Sequence, residues 1–286
     1  TNCAQVYGSG KHKVVYMRDE TDINANQLVQ MGDNAKNGFL QTAPFSVSPY
    51  RVQFSHFIDL KQHPVLFNEI FYKIDVNWVN NISAGSQDAG PNKISKMSSC
   101  GFWNSVFFAI HNIGGSEKTN GTVKRFIGPV ARIGINKNDI GSNDWRVVSV
   151  FIHEAAHIIG RLTDEYCCKK IPSLDGTPLI SEQEWNQTIT ESIPSQKPNC
   201  VLDPKSEYSS KGVLYGGTSF TGCNFEQLYR PSGNSIMREH FSQKSFNVIG
   251  CANIIRDIMD SPTAKKHFPE CAAMAARDGS IIPVGQ

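Results

Sequence analysis

The stretch Asp144-Trp145-Arg146-Val147-Val148-Ser149-Val150-Phe151-Ile152-His153-Glu154-Ala155-Ala156-His157-Ile158-Ile159-Gly160 reads as one helix that carries chemistry. Val148, Ile152, Ala155 and Ile159 recur at helical spacing with Phe151 beside them, and no Gly or Pro interrupts the run before Gly160. Ser142 or Asn143 can cap its start. His153 and His157 are four residues apart, so their imidazoles leave one helical face about one turn apart and can share a metal ion. Glu154 stands beside them, placed to take a proton from a water at such an ion. A plain core helix with two satisfied histidines accounts for the apolar stripe. It gives no reason for a glutamate between the histidines.

A zinc site of this kind needs a third protein ligand, and helix geometry narrows the choice. If the helix continued, Asp164 would lie about 10 Å beyond His157 along the axis, too far to share an ion whose bonds are about 2 Å long. The helix must therefore stop, and Gly160 is expected to end it with a left-handed backbone. The chain then turns through residues 161–163 and offers Asp164, or its neighbour Glu165. Glu182 and Glu184 are more distant options. Ser181 and Glu184 read better as a capping box opening a helix through Trp185 and Ile189.

With Asp164-Glu165-Tyr166 downstream of His-Glu-x-x-His, the chain resembles the IgA-peptidase family of zinc endopeptidases, relatives of the metzincins. A second element, Tyr229-Arg230-Pro231-Ser232-Gly233-Asn234-Ser235-Ile236-Met237-Arg238, is similar to that family's Tyr-Arg-Pro-Ser segment running into a Met-turn. Val14-Val15-Tyr16-Met17 matches a first strand, and Ala43-Pro44-Phe45 a Pro-Phe step after the first helix. The resemblance implies Asp164 as third ligand, although Thr163 stands at the usual metzincin spacing. It implies Met237 as a packing residue beneath the metal. Asn234-Ser235-Ile236 departs from the family, which often has a cysteine there. The expected fold is α/β: a metzincin-like, two-lobed catalytic domain spanning 1–286, with an upper lobe of about 1–160 and a lower lobe of about 161–286. A twisted mixed sheet with backing helices, the active-site helix, the Met-turn and a C-terminal helix would compose it.

Composition sets bounds on partners. The 286 residues suffice for a large core, and 40% hydrophobic with 19% charged residues is ordinary for a globular chain. A formal net charge of +2 makes no case for nucleic acid or an anionic membrane as partner. No apolar run is long enough for a membrane span. The start shows no charged-then-apolar leader, and a beginning at Thr1 without methionine fits a mature secreted form and a trimmed chain equally. Eight cysteines without Cys-x-x-Cys spacing argue against a structural zinc and for disulfides in an oxidising compartment. Cys200–Cys223 and Cys251–Cys271 are the expected pairs, with the vicinal Cys167 and Cys168 bonded to separate partners.

Along the chain, Lys13–Met17 reads as a central strand, Ile23–Phe39 as a helix, Arg51–Leu60 as a strand and Pro64–Asn80 as a helix. Ser83–Ser99 reads as an exposed loop. Gly101–Ile110 and Arg125–Asn136 read as strands, one of them a candidate edge of the cleft. Ile171–Leu228 reads as mostly loop, and Phe246–Met259 as a C-terminal helix.

The function these features point to is zinc-dependent hydrolysis of peptide bonds with one catalytic Zn2+. His153, His157 and Asp164 would bind the metal, and Glu154 would act as general base. Tyr229 or Tyr166 is the candidate oxyanion donor. The expected partner is a protein or peptide substrate, and the expected state a secreted monomer. Two other possibilities share these residues: a zinc amidase acting on cell-wall peptides, and a binding or adhesion module on a peptidase fold.

Overall fold

The structure is a computed structural model. It describes residues 2–10, 12–18, 23–46, 53–63, 98–100, 105–116, 118–123, 130–166, 199–200, 221–223, 225–230, 235–269 and 271. The chain divides into two compact units, Thr1–Ile158 and Ile159–Gln286.

The first unit is a mixed sheet with helices packed on it. Its strands are β1 (Cys3–Tyr7), β2 (His12–Arg18), β3 (Phe54–Gln62), β4 (Ser105–Asn112), β5 (Asn120–Val123) and β6 (Val130–Ile135), in the order β1-β3-β2-β4-β6-β5. The four inner strands run parallel, and the two edge strands pair antiparallel with β3 and β6. Parallel strands are buried on both faces and read as continuous apolar runs. Val14, Val15, Tyr16 and Met17 follow that rule, each at most 1% exposed. The expected central strand is thus interior, but β1 precedes it. The expected strands near 101–110 and 125–136 form as β4 and β6. Both are interior, and the edge beside them is β5.

Helix α1 (Ala25–Gln41) begins at a capping box. Asn24 Oδ1 accepts from the Gln27 N–H at 3.0 Å, and Gln27 Oε1 accepts from the Asn24 N–H at 2.9 Å. Helix α2 (Trp145–Ile159) carries the two histidines. Its start differs from expectation. Asp144, and not Ser142 or Asn143, stands before the first turn, with Oδ1 accepting from the Arg146 N–H at 2.9 Å. Ser142 Oγ instead accepts from the Asp144 N–H. The two helices approach closely because Gly38 has no side chain. A Cβ there would lie 2.1 Å from Val148 Cγ1. Both helices reach Tyr16 on β2: Gly32 of α1 sits beside its ring, and Phe151 of α2 meets it edge-on at 6.0 Å. Phe108 stacks on Tyr16 at 5.5 Å and meets Phe151 edge-on at 5.1 Å. This aromatic core anchors the middle of α2, at Phe151.

The far end of the sheet is tied covalently and by hydrogen bonds. Cys3 bonds to Cys100 across 97 residues, and Cys3 pairs with Asp59 in the β1–β3 register. Asp59 accepts from Ser98 Oγ at 2.8 Å, from the Ser99 N–H at 2.7 Å, from Ser99 Oγ, and from His63 Nε2 at 3.1 Å. Burial alone would raise the Asp59 pKa. The hydrogen bonds from His63, Ser99 and Ser98 and the His63 charge outweigh it and hold the carboxyl at about 2. Ser98 is buried, against the expected exposed loop, while Ser99 at the loop's end is exposed. The rest of that loop and the expected helix 64–80 lie outside the described residues.

His56 on β3 gives this unit an acid limit. It is fully buried, with Nδ1 3.0 Å from Tyr16 Oη. Burial first, and then the Lys36 charge, lowers its pKa from 6.5 to about 3. The unfolded chain therefore takes up a proton that the folded chain refuses. His56's contribution to stability is full above about pH 6.5 and is lost as pH falls towards 3, by up to about 4–5 kcal/mol. Asp59 adds a loss in the same direction at lower pH, as its carboxylate is protonated on the way to about 2. Urea midpoints measured at pH 7, 5 and 4 should fall in that order, and His56→Gln should flatten the slope. An unchanged slope in His56→Gln would exclude this origin.

In the second unit, β7 (Thr221–Cys223) and β8 (Phe225–Tyr229) pair antiparallel, at the end of a stretch expected to be mostly loop. A short helix α3 (Ile236–Glu239) follows, then α4 (Val248–Ile258) and α5 (Ser261–His267). Asn247 caps α4 and Asp260 caps α5. Cys251 bonds to Cys271 as expected, tying α4 to the segment after α5. Cys200 is also disulfide-bonded. Its expected partner Cys223 has a side chain outside the described residues, as do Cys167 and Cys168. No cysteine among the described residues is free, which suits an oxidising compartment. Among the described residues, no helix is long and apolar enough to cross a membrane.

Candidate metal centre

The apolar stripe of α2 fixes which way the histidines face. Val148, Phe151, Ile152, Ala155 and Ile159 are all 9% exposed or less, so the helix cannot rotate without exposing its core side. His153 is buried and His157 half-buried. Their Nε2 atoms lie 3.2 Å apart, with the rings perpendicular at 4.8 Å between centroids. Two lone pairs at that separation repel unless a proton or a cation lies between them. Two zinc–nitrogen bonds of about 2.0–2.1 Å at a tetrahedral angle would put the nitrogens about 3.3–3.4 Å apart. The observed spacing fits a shared zinc to within about 0.2 Å. A single N–H···N hydrogen bond is the other arrangement it admits.

Glu154 completes the group. His153, Glu154 and His157 place one ligand atom each within 4.8 Å of one another, and they form the metal-capable cluster found among the described residues. Glu154 is 4% exposed. Its side chain lies against the edge strand β5: a Cβ on Gly121 would be 2.4 Å from Glu154 Cγ and 2.6 Å from Oε1.

Helix α2 ends at Ile159, before Gly160 as expected. The left-handed residue is Arg161, with φ 52°, and not Gly160. Arg161 is exposed, so its side chain needs no space in the core, although the backbone there is uncommon for a residue other than glycine.

Asp164 and Glu165 belong to the second unit, and both are buried there. Glu165 is the centre of a polar knot. Asn199 Nδ2 donates to its Oε1 at 3.0 Å, and Asn247 Nδ2 donates to both oxygens at 2.8 and 3.0 Å. Its own N–H donates to the Met237 carbonyl at 2.8 Å. Burial pushes the Glu165 carboxyl up to about 7, against the opposing pull of Asn199, Asn247, Ser235 and the Arg230 charge. Asn199 also accepts from the Thr163 N–H and donates to the Thr163 carbonyl. The segment carrying Asp164 is thereby clamped on both sides by one asparagine and bonded to the turn at Met237. Spacing gave no hint of Asn199 or Asn247, because their partners are distant in sequence. Met237 itself is fully buried on α3, whose N-cap Ser235 accepts from the Met237 N–H.

Tyr229 ends β8, and its side chain is outside the described residues. Tyr166 is 40% exposed. His240 lies against Phe241, ring to ring at 4.0 Å. No protein-family model matches the chain, and no curated protein matches it.

Proposed function

We propose that this chain is a secreted zinc-dependent endopeptidase. The 3.2 Å separation of His153 Nε2 and His157 Nε2, with Glu154 in the same cluster, carries the proposal. His153 and His157 would hold the metal together with Asp164, which leaves a fourth position for water or substrate, as catalytic rather than structural sites require. A zinc ion there would supply Lewis acidity, polarising a scissile carbonyl and making water more acidic.

The remaining steps belong to the protein. Glu154 takes the proton from the attacking water and passes it to the departing amine nitrogen. Its burial removes competing solvent and strengthens that exchange electrostatically. The edge strand β5 runs beside Glu154, and strand addition at a sheet edge would suit an endopeptidase of modest sequence demand. Tyr229 is the proposed oxyanion donor. A metzincin-like lower lobe with a Met-turn at Met237 accords with the hydrogen bond from Glu165 to that turn.

The test is metal-dependent cleavage. The protein should bind one zinc per chain and cut an unstructured protein at internal bonds. A chelator should abolish cleavage, and added zinc should restore it. Failure to bind zinc, or cleavage that survives complete removal of metal, would rule out the proposal. Zinc binding without cleavage of any protein or peptide would favour the binding module.

A further inference from the structure

We infer that Gly121 is a positioning residue for Glu154: the bare backbone of β5 is the wall that sets where the carboxylate stands beside His153 and His157. The inference rests on the proposed role of Glu154 as general base.

The geometry is tight at the stem of the side chain as well as at its tip. A Cβ at position 121 would meet Glu154 Cγ at 2.4 Å, Oε1 at 2.6 Å and Cδ at 2.7 Å. Contacts this short cannot persist, so something must move. Helix α2 is held by its buried stripe, and Cγ stands only two bonds from the helix backbone. The group with freedom to yield is the Glu154 side chain, through its own torsions, and that motion changes its place relative to the two imidazoles. β5 is fixed from the other side. It pairs with β6 from Asn120 to Val123, with Gly121 opposite Ile133. Ile133 is fully buried, and residues paired across antiparallel strands share a face of the sheet.

The backbone at Gly121 requires no glycine. Its φ lies outside the left-handed range, unlike those of Gly8, Gly114 and Gly141. Alanine can adopt this conformation, and by restricting the unfolded chain it would ordinarily add a little stability. The three atoms nearest an added methyl group all belong to Glu154, so the penalty of Gly121→Ala is expected to come from that contact. This separates a positioning role from the usual conformational reasons for a glycine.

The experiment is a double-mutant cycle of Gly121→Ala and Glu154→Ala, read in three ways. In the wild-type background, Gly121→Ala should lower kcat on the order of 10²-fold, as expected when a catalytic group is misplaced by about 1 Å. KM should change little and zinc should stay at one per chain. The acid limb of the pH–kcat/KM profile should shift, because the base sits in a new environment. Thermal stability should fall with Gly121→Ala in the wild type but hold or rise with it in Glu154→Ala, where the space is vacated. Equal falls in Tm in both backgrounds, or unchanged kcat and pH profile in Gly121→Ala, would overturn the inference. The Tm cycle needs neither metal nor turnover. Coupling in Tm from a wild-type protein that neither binds zinc nor cuts peptides would therefore refute the peptidase, and with it the catalytic meaning of this contact.

Discussion

Glu154→Gln is expected to reduce peptide hydrolysis by roughly 10²–10⁴-fold or more while leaving the fold and the zinc content unchanged. The substitution keeps the volume and shape of a side chain that is 4% exposed and pressed against β5. Packing should therefore survive. What is lost is basicity: an amide oxygen cannot accept the water's proton at neutral pH, nor can the amide later deliver one to the amine. Zinc would remain because His153 and His157, not Glu154, are its proposed partners on α2. The measurement is kcat on a peptide with one cleaved bond, beside zinc by elemental analysis and Tm. Equal turnover in wild type and Glu154→Gln would remove the general-base mechanism. Lost zinc with retained folding would instead make Glu154 a ligand.

How legible such a site is in sequence depends on where its information lies. The α2 site is legible because burial and ligand spacing both repeat at the helix period, so Ile152, Ala155 and Ile159 orient His153 and His157 without help from elsewhere. β2 is legible because a strand buried on both faces is a continuous apolar run. β5 is not. Asn120-Gly121-Thr122-Val123 is short and has no alternation, and its strand state comes from pairing with β6. Gly121 therefore looks like a loop glycine until its neighbour Glu154 is seen. The β7–β8 hairpin is hidden for the same reason. Cys3–Cys100 closes a 97-residue separation that no spacing rule reaches. The turn after α2 shows a subtler limit. Gly160 marks the helix end correctly, yet the left-handed step falls one residue later, at Arg161, and the hydrogen bonds that hold the chain just downstream join residues distant in sequence. Asn199 holds Thr163 by two such bonds.

Those bonds also bear on the third ligand, where two adjacent substitutions should separate cleanly. Asp164→Ala should lose zinc, with affinity falling by more than the roughly 10–100-fold that an outer partner contributes. Glu165→Ala should keep zinc but lose stability. The difference follows from what each carboxylate already does. Both Glu165 oxygens are taken by Asn247, and one also by Asn199, so binding a metal would strip two buried amides of their acceptor. Truncating Glu165 leaves those same donors unsatisfied, at about 1–3 kcal/mol each, and loosens the segment that contains Asp164. Zinc should therefore be measured well below the lowered midpoint of Glu165→Ala, by competition with a chromophoric chelator. Full zinc in Asp164→Ala would refute the assignment. A folded Glu165→Ala protein devoid of zinc would transfer the role to Glu165.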